Sequence, residues 1–210
     1  MSDKQTDELG RVDVEILKKE TPFQGYFRVD EYTLRHKKHE GGWTEPITRE
    51  IFERGHASGM LPYDPVTDMV VLIEQFRLGA YAADHDPWLL EVPAGIIEAG
   101  QSAEEVARRE TFEETGCTAK RMEHIADILV SPGGSSETLQ LYCVEIDIHE
   151  ADDVAGLEEE GEFIRVLKVS VEEAFDILEA GRMQNSTGLI ALQWLKLNHL
   201  NIREKWCNKK

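Results

Sequence analysis

Three glutamates, Glu110, Glu113 and Glu114, recur at helical spacing within the stretch GIIEAGQSAEEVARRETFEETG that runs from Gly95 to Gly116. Residues three and four apart share a helix face, so the three carboxylates fall within an arc of about a third of the circumference. Like charges at that spacing repel by roughly 0.2–0.5 kcal/mol per pair on an exposed helix, and by more wherever water is excluded. Something positive must sit between them. Oxygen-only ligands suit a hard divalent cation, Mg2+ or Mn2+, and one or two carboxylates together with substrate phosphate oxygens are a common way of holding Mg2+. On an anonymous helix an acidic face is more often plain solvated surface; here the surrounding loop gives it meaning.

The segment reads as a tight glycine-bearing loop, residues 95–101, feeding a helix that begins at Ser102 and stops at Gly116. Ser102 followed by Glu105 is a capping box, which satisfies two of the amides that any helix start leaves free. Gly116 supplies the left-handed stop. Along one face Ala103, Val106 and Ala107 begin an apolar stripe that arrives at the three glutamates. These residues resemble the Nudix box, in which Gly, five residues, Glu, seven residues and Arg-Glu-apolar-any-Glu-Glu-any-Gly-apolar follow in order. Gly95, Arg109, Glu110, Glu113, Glu114, Gly116 and Cys117 stand at the matching spacings. Two positions depart: Gln101 replaces the first Glu, and Thr111 replaces an aliphatic residue. The resemblance implies that position 101 braces the loop and the arginine, so Gln101 is expected to accept a hydrogen bond from Arg109 without supplying charge.

The chain has 210 residues, is 41% apolar and 30% charged, and carries a formal net charge of −18. That length allows a domain of about 150 residues with an appendage. The charge argues against binding nucleic acid through its phosphates, which needs clustered Lys and Arg; a polyanionic small molecule can bind only with metal and a few local arginines. Cys117, Cys143 and Cys207 form neither a disulfide framework nor a CxxC pattern, so a reducing compartment is the simpler reading. No apolar run approaches the length of a membrane span, and the polar N-terminus MSDKQTDELGR is unlike a signal peptide. The expectation is a soluble, cytoplasmic protein with no membrane partner.

Taken in order, residues 1–10 read as a lead-in. Period-two alternation predicts strands at 12–16, 27–38 and 46–54, with a Gly-Gly-Trp turn at 41–43. So small an antiparallel sheet has too little core to stand alone, and must pack on the rest or on a second subunit. Strands are expected either side of the Pro62–Asp68 loop, at 88–94, at 121–130, at 138–148 and at 163–170, with helices at 170–181 and 187–200. The acidic, glycine-broken run at 150–163 reads as a mobile loop. The histidines show no ligand spacing. The fold class is α+β, an α/β/α sandwich of the Nudix type with a mixed sheet between helices, and the expected division is a dimerising N-terminal sheet at 1–50 and a catalytic domain at 51–210.

Beyond the box, TREIFERGHA (48–57), VLIEQFR (71–77) and WLLEVPAG (88–95) look like the bacterial ADP-ribose pyrophosphatases of this family, and Pro132, in the SPGG turn sixteen residues past Gly116, is similar to that subgroup. The resemblance implies hydrolysis of ADP-ribose to AMP and ribose 5-phosphate, with two or three Mg2+ (Mn2+ possible) held by Glu110, Glu113, Glu114 and the carbonyl of Ala94. It implies that Arg49 and Arg77 contact nucleotide and phosphates, that Tyr26 or Phe27 stacks on adenine from the partner of a homodimer, and that Gly133 and Glu137 lie at the substrate. Ligating carboxylates cannot also serve as free bases, so the base is expected on a separate, movable segment. Glu160 is assigned as base and Glu162 as a further metal ligand, with the reverse assignment open. Another nucleoside diphosphate derivative, such as a sugar nucleotide, is the alternative substrate; a weakly active ADP-ribose sensor is the alternative class.

Overall fold

The computed structural model describes residues 9–157 and 161–208. Its chain contacts separate two compact units, Met1–Gly55 with Leu129–Glu137, and His56–Ile128 with Thr138–Lys210.

In the first unit β1 (Val14–Gln24), β2 (Arg28–His36) and β3 (Ile47–Glu53) form an antiparallel sheet in that order. The chain enters later than its alternation predicts: Arg11–Asp13 is a turn of 3-10 helix, because the Asp13 carboxylate accepts from the Gly10 amide and fixes a capped turn there. Every residue of β1 is exposed, Val14, Ile16, Leu17 and Phe23 among them. The returning segment 129–137 docks on β3, where the Phe52 amide donates to the Gly134 carbonyl at 2.8 Å.

The second unit is built on a mixed sheet of β4 (His56–Asp64), β5 (Met69–Phe76), β6 (Trp88–Glu91), β7 (Ala94–Ile97), β8 (Met122–Leu129), β9 (Thr138–Glu145), β10 (Val154–Ala155) and β11 (Ile164–Ser170). The path runs β10-β11-β5-β4-β9-β8, with β6 beside β5 and β7 beside β4. The β4–β9 pair is parallel, whereas β4–β5, β4–β7, β5–β6 and β5–β11 are antiparallel. A short helix α1 (Leu78–Ala82) follows β5, α2 (Ala103–Thr115) follows β7, and α3 (Val171–Glu179) and α4 (Ser186–Cys207) close the chain.

Successive strand residues face opposite sides, and both sides are buried. Leu61, Tyr63, Val70, Leu72, Leu141 and Cys143 pack with Leu192, Leu195, Ile202 and Trp206 of α4 and Ala174 of α3. Met60, Val71, Ile73, Tyr142, Val144 and Val166 pack with Ala103 and Ala107 of α2. A near-continuous apolar run such as MVVLI is what a strand covered on both faces requires. The fold is therefore α+β, a mixed sheet between helices, with the smaller antiparallel sheet in the other unit.

Other boundaries also differ from the sequence reading: β1 runs on to Gln24, and β10, inside the stretch 150–163 that reads as a loop, pairs with β11. The strand at 88–94 is broken after Glu91, since Pro93 has no N–H to give the ladder, and Gly95 lies inside β7, opposite Ser58, rather than in the loop. The tight turn is thus confined to residues 98–101. Helix α1 went unread, being only one short turn flanked by residues of no clear period. Finally, α4 runs on to Cys207 because Ile202 and Trp206 extend its buried stripe and no Gly or Pro stands between Leu200 and Cys207.

Candidate active site

Helix α2 is set by its ends. The Ser102 hydroxyl accepts from the Glu105 amide while the Glu105 carboxylate accepts from Ser102 N, and Gly116 takes φ 77°, its amide reaching the Phe112 carbonyl at 2.8 Å. A capping side chain of this kind contributes about 1 kcal/mol. The same Gly116 has no room for a side chain, since a Cβ there would lie 2.5 Å from an Asp152 carboxylate oxygen. The start of the helix is tied to the sheet by the buried Ser58 hydroxyl, which donates to the Ala103 carbonyl at 2.8 Å.

These anchors bring the α2 carboxylates against the Ala94–Gly95 backbone. Glu114 is 3% exposed, and its Oε2 accepts from the Ala94 amide at 3.0 Å. Burial pushes its carboxyl up to about 8; the Ala94 hydrogen bond and Arg77 oppose this, while Glu110 and Glu162 add to it. No cation is paired with it among the described residues. Glu110 lies so close over Gly95 that a Cβ there would fall 1.8 Å from its Oε1. Burial raises the Glu110 carboxyl too, with Arg109 opposing and Glu113 and Glu162 reinforcing. Glu162 thus acts electrostatically on both Glu110 and Glu114, and the Gly156 amide, from the same connection, donates to the Glu113 carbonyl at 3.3 Å.

Arg109 pairs with Glu110 at 2.8 Å and with Glu113 at 2.6 Å. No hydrogen bond joins it to Gln101, contrary to expectation. The Gln101 Oε1 accepts instead from the Glu98 amide at 3.2 Å while Gln101 N donates to the Glu98 carbonyl at 3.1 Å, so it closes the turn locally and leaves the arginine to the charged partners. Thr111, the second departure from the box, is fully buried and donates its hydroxyl to the Ala107 carbonyl at 2.6 Å. That bond lets a polar residue occupy an apolar position without an unsatisfied group.

Among the described residues no group of three or more His, Cys, Asp or Glu side chains is arranged to hold a metal ion. The donor chemistry nevertheless suits a hard divalent cation: oxygen only, carried on one helix face, with a buried carboxylate that has no cation of its own among the described residues and a glycine that admits the helix carboxylate against the backbone.

Of the residues singled out by sequence, this unit gathers Ala94, Gly95, Arg109, Glu110, Glu113, Glu114, Glu162 and Arg77. The other unit holds Tyr26, Phe27, Arg49, Gly133 and Glu137. There Phe27 stacks edge-to-face with Tyr26 at 4.8 Å and with Phe52 at 5.0 Å, Tyr26 being 87% exposed. The exposed Arg49 donates back to the Thr48 carbonyl at 2.7 Å, and buried Glu137 pairs with Arg54 at 2.7 Å. Glu160 lies outside the described residues. Sequence reasoning passed over Glu91, whose buried carboxylate holds Arg77; the signal was a charged residue within the otherwise apolar WLLEVPA.

The family profile of the NUDIX domain matches residues 53–205. An ADP-ribose pyrophosphatase of Escherichia coli (strain K12) is 47% identical over 197 residues, covering 94% of each chain. One of Haemophilus influenzae is 39% identical over 92% of this chain and 91% of the relative. A GDP-mannose pyrophosphatase of Pectobacterium atrosepticum is 32% identical over 86% and 92%. Among solved structures, that of an ADP compounds hydrolase superposes with a TM-score of 0.69 at 21% identity, over 91% of this chain and 97% of that one, which is a likeness of fold.

Proposed function

We propose that this chain, which belongs to the Nudix family, hydrolyses the pyrophosphate bond of ADP-ribose with water to give AMP and ribose 5-phosphate. The observation that carries the reading is the packing of the α2 carboxylates on Ala94–Gly95, with Glu114 buried and Glu110 drawn against a glycine. Such an acidic, buried cluster opposes folding unless it is used. The substrate follows from relatives: identity to ADP-ribose pyrophosphatases is 47% and 39%, against 32% for a GDP-mannose pyrophosphatase. The latter supports a sugar nucleotide as the second substrate to test.

Glu110, Glu113, Glu114 and the Ala94 carbonyl would hold two or three Mg2+, or Mn2+ in their place, with Glu162 adding an oxygen. When bound, these ions neutralise charge on the phosphate oxygens and favour attack at phosphorus. Arg77 directs guanidinium donors at the diphosphate. Glu160 or Glu162, on the connection after β10, takes the proton from the attacking water, the ligating helix carboxylates being unable to do so. Arg49 joins Arg77 in contacting nucleotide and phosphates, Gly133 and Glu137 lie at the substrate, and Tyr26 or Phe27 stacks on adenine.

The protein acts as a homodimer through the N-terminal sheet, about residues 1–50, each copy completing the other's pocket. In support, β1 leaves Val14, Ile16, Leu17 and Phe23 exposed along an edge strand, a surface that a symmetric partner would cover. We place it in the cytoplasm: its cysteines are free, and no described helix is long and apolar enough to cross a membrane.

The test is hydrolysis of ADP-ribose, a nucleotide sugar, NADH and diadenosine polyphosphates with Mg2+ and with chelator, products identified. Metal-dependent release of AMP chiefly from ADP-ribose supports the reading; tight binding without turnover would replace it with a sensor.

A further inference from the structure

Arg77 stands at the end of β5, where the chain leaves the sheet for α1, and its side chain is 43% exposed. A guanidinium on so open a stem has many rotamers, and fixing one in a productive direction costs on the order of 2 kcal/mol in side-chain freedom. Its freedom is nevertheless removed in advance. The Glu91 carboxylate, 5% exposed, takes Arg77 Nε at 2.9 Å and Nη2 at 2.7 Å on its Oε2. By the antiparallel register Glu91 lies opposite Ile73, so it shares a sheet face with Gln75 and Arg77. Gln75 Nε2 reaches the same oxygen at 3.3 Å. The other oxygen, Oε1, accepts from Asn185 Nδ2 at 2.9 Å, and Asn185 is itself locked, because its Oδ1 caps α4 at the Gly188 amide, 3.0 Å away. A chain of polar contacts therefore runs from the N-terminus of α4 through Asn185 and Glu91 to Arg77.

Two features show what this clamp leaves available. Arg77 Nη1 has no hydrogen-bond partner among the described residues, so the fork keeps donors to spare after Glu91 is served. Arg77 also lies within electrostatic range of buried Glu114, so the clamped guanidinium belongs to the same neighbourhood as the carboxylate cluster.

We propose that Glu91 is a positioning residue: it and Asn185 hold the Arg77 guanidinium with its free Nη1 edge directed at the phosphate oxygens of the substrate, so that this edge is ordered before the substrate arrives. The inference rests on the reading of Arg77 as a substrate contact. Glu91 never touches the substrate; it acts through the arginine, and its contribution is to ground-state binding as much as to the transition state. It belongs in KM more than in kcat.

The experiment is a double-mutant cycle on the intact protein with Mg2+: wild type, Glu91→Gln, Arg77→Ala and the double variant, each assayed for kcat and KM on ADP-ribose and for melting temperature. Glu91→Gln keeps the shape and can still accept from Asn185, but loses the charge that holds Arg77. It is expected to raise KM about tenfold, the worth of one charge-assisted hydrogen bond, with kcat changed within about twofold. In the Arg77→Ala background the same change should add nothing. Asn185→Asp is the second variant: aspartate still caps α4 but turns the donor facing Glu91 into a repelling oxygen, so KM should rise with the helix cap kept. If Arg77→Ala raises KM and Glu91→Gln does not, or if the two effects multiply, the positioning role is overturned while the arginine's role stands. If Glu91→Gln lowers kcat and melting temperature with KM unmoved, its role is structural only. If Arg77→Ala leaves KM unchanged, the substrate contact and the positioning role fall together.

Discussion

Glu114→Gln is the substitution whose consequence the structure specifies most closely, because the same burial that makes the carboxylate a good ligand makes it a poor neighbour to the fold. Its carboxyl is pushed from the ordinary 4.5 up to about 8 by burial, with Glu110 and Glu162 contributing and Arg77 only partly offsetting them. In the unfolded chain it ionises near its ordinary value. Folding stability is therefore undiminished below about pH 4.5, falls as pH rises through the interval between the two values, and levels off above 8. At neutral pH the loss amounts to roughly 3 kcal/mol, taking 1.36 kcal/mol per pH unit. Glutamine keeps the oxygen that accepts from the Ala94 amide and cannot ionise. With divalent cations chelated, the variant should be more stable than the parent by about 2–3 kcal/mol at pH 7, equivalent to roughly 5–10 °C in melting temperature for a chain of this size. At pH 5 the gain should shrink to about 0.8 kcal/mol or less. Urea or thermal unfolding at the two pH values measures it. Added Mg2+ should stabilise the parent and not the variant, and turnover should fall by orders of magnitude. A variant that is less stable than the parent at pH 7 in chelator, or that keeps its activity, would refute the assignment of Glu114 as a buried, metal-seeking carboxylate.

Gly95→Ala inserts a Cβ 1.8 Å from Glu110 Oε1; the helix carboxylate must swing away, so activity should fall at least tenfold with an overpacking cost of about 1–3 kcal/mol, read by Mg2+ titration beside a melt. Asp68→Asn should cost about 1–3 kcal/mol in urea unfolding with the active fraction's KM unchanged, since Asp68 joins Arg203 at 2.8 Å, His199 at 2.7 Å and the Tyr63 hydroxyl at 2.9 Å, and asparagine tolerates its positive φ of 60°. Thr111→Val removes a buried hydroxyl together with its need for the Ala107 carbonyl, and is expected to shift stability by less than about 1 kcal/mol while preserving activity; a large loss would show that the hydroxyl shapes α2. Gln101→Glu should preserve the turn, because a carboxylate oxygen can still accept from the Glu98 amide, and circular dichroism should be unaltered.

What could be read in advance follows the range of the interactions involved. Helix α2 was legible to the residue because Ser102, Glu105 and Gly116 act on backbone groups within one turn of themselves. The two-sided burial of β5 was legible in its unbroken apolar run. The Arg109–Gln101 bond was implied by the family resemblance and not by any local pattern, and only the folded turn reveals that the Glu98 amide claims Gln101. The Glu91–Asn185 contact joins residues 94 apart in the chain, and no local periodicity encodes it. The strand break before Gly95 was signalled by Pro93 and overlooked in favour of the apolar pattern around it.

A chain with net charge −18 must solve the problem of admitting a diphosphate, and the arrangement of its cations indicates how. Arg109 is committed to Glu110 and Glu113, Arg77 is held by Glu91, and Glu114 has no cation partner among the described residues. Placed bare against this surface, a dianionic diphosphate would meet carboxylates whose repulsion grows as water is expelled. The residues themselves thus favour a substrate that arrives with, or onto, divalent cations, and they leave the arginines the narrower task of orientation. Ionic strength should separate the two contributions. Screening weakens long-range repulsion between exposed charges and acts much less on buried pairs, so added monovalent salt at saturating Mg2+ should change KM little. At limiting Mg2+ the same salt should alter the metal requirement itself. A KM that climbs steeply with salt at saturating Mg2+ would mean instead that exposed arginines, rather than the carboxylate cluster and its ions, supply most of the attraction.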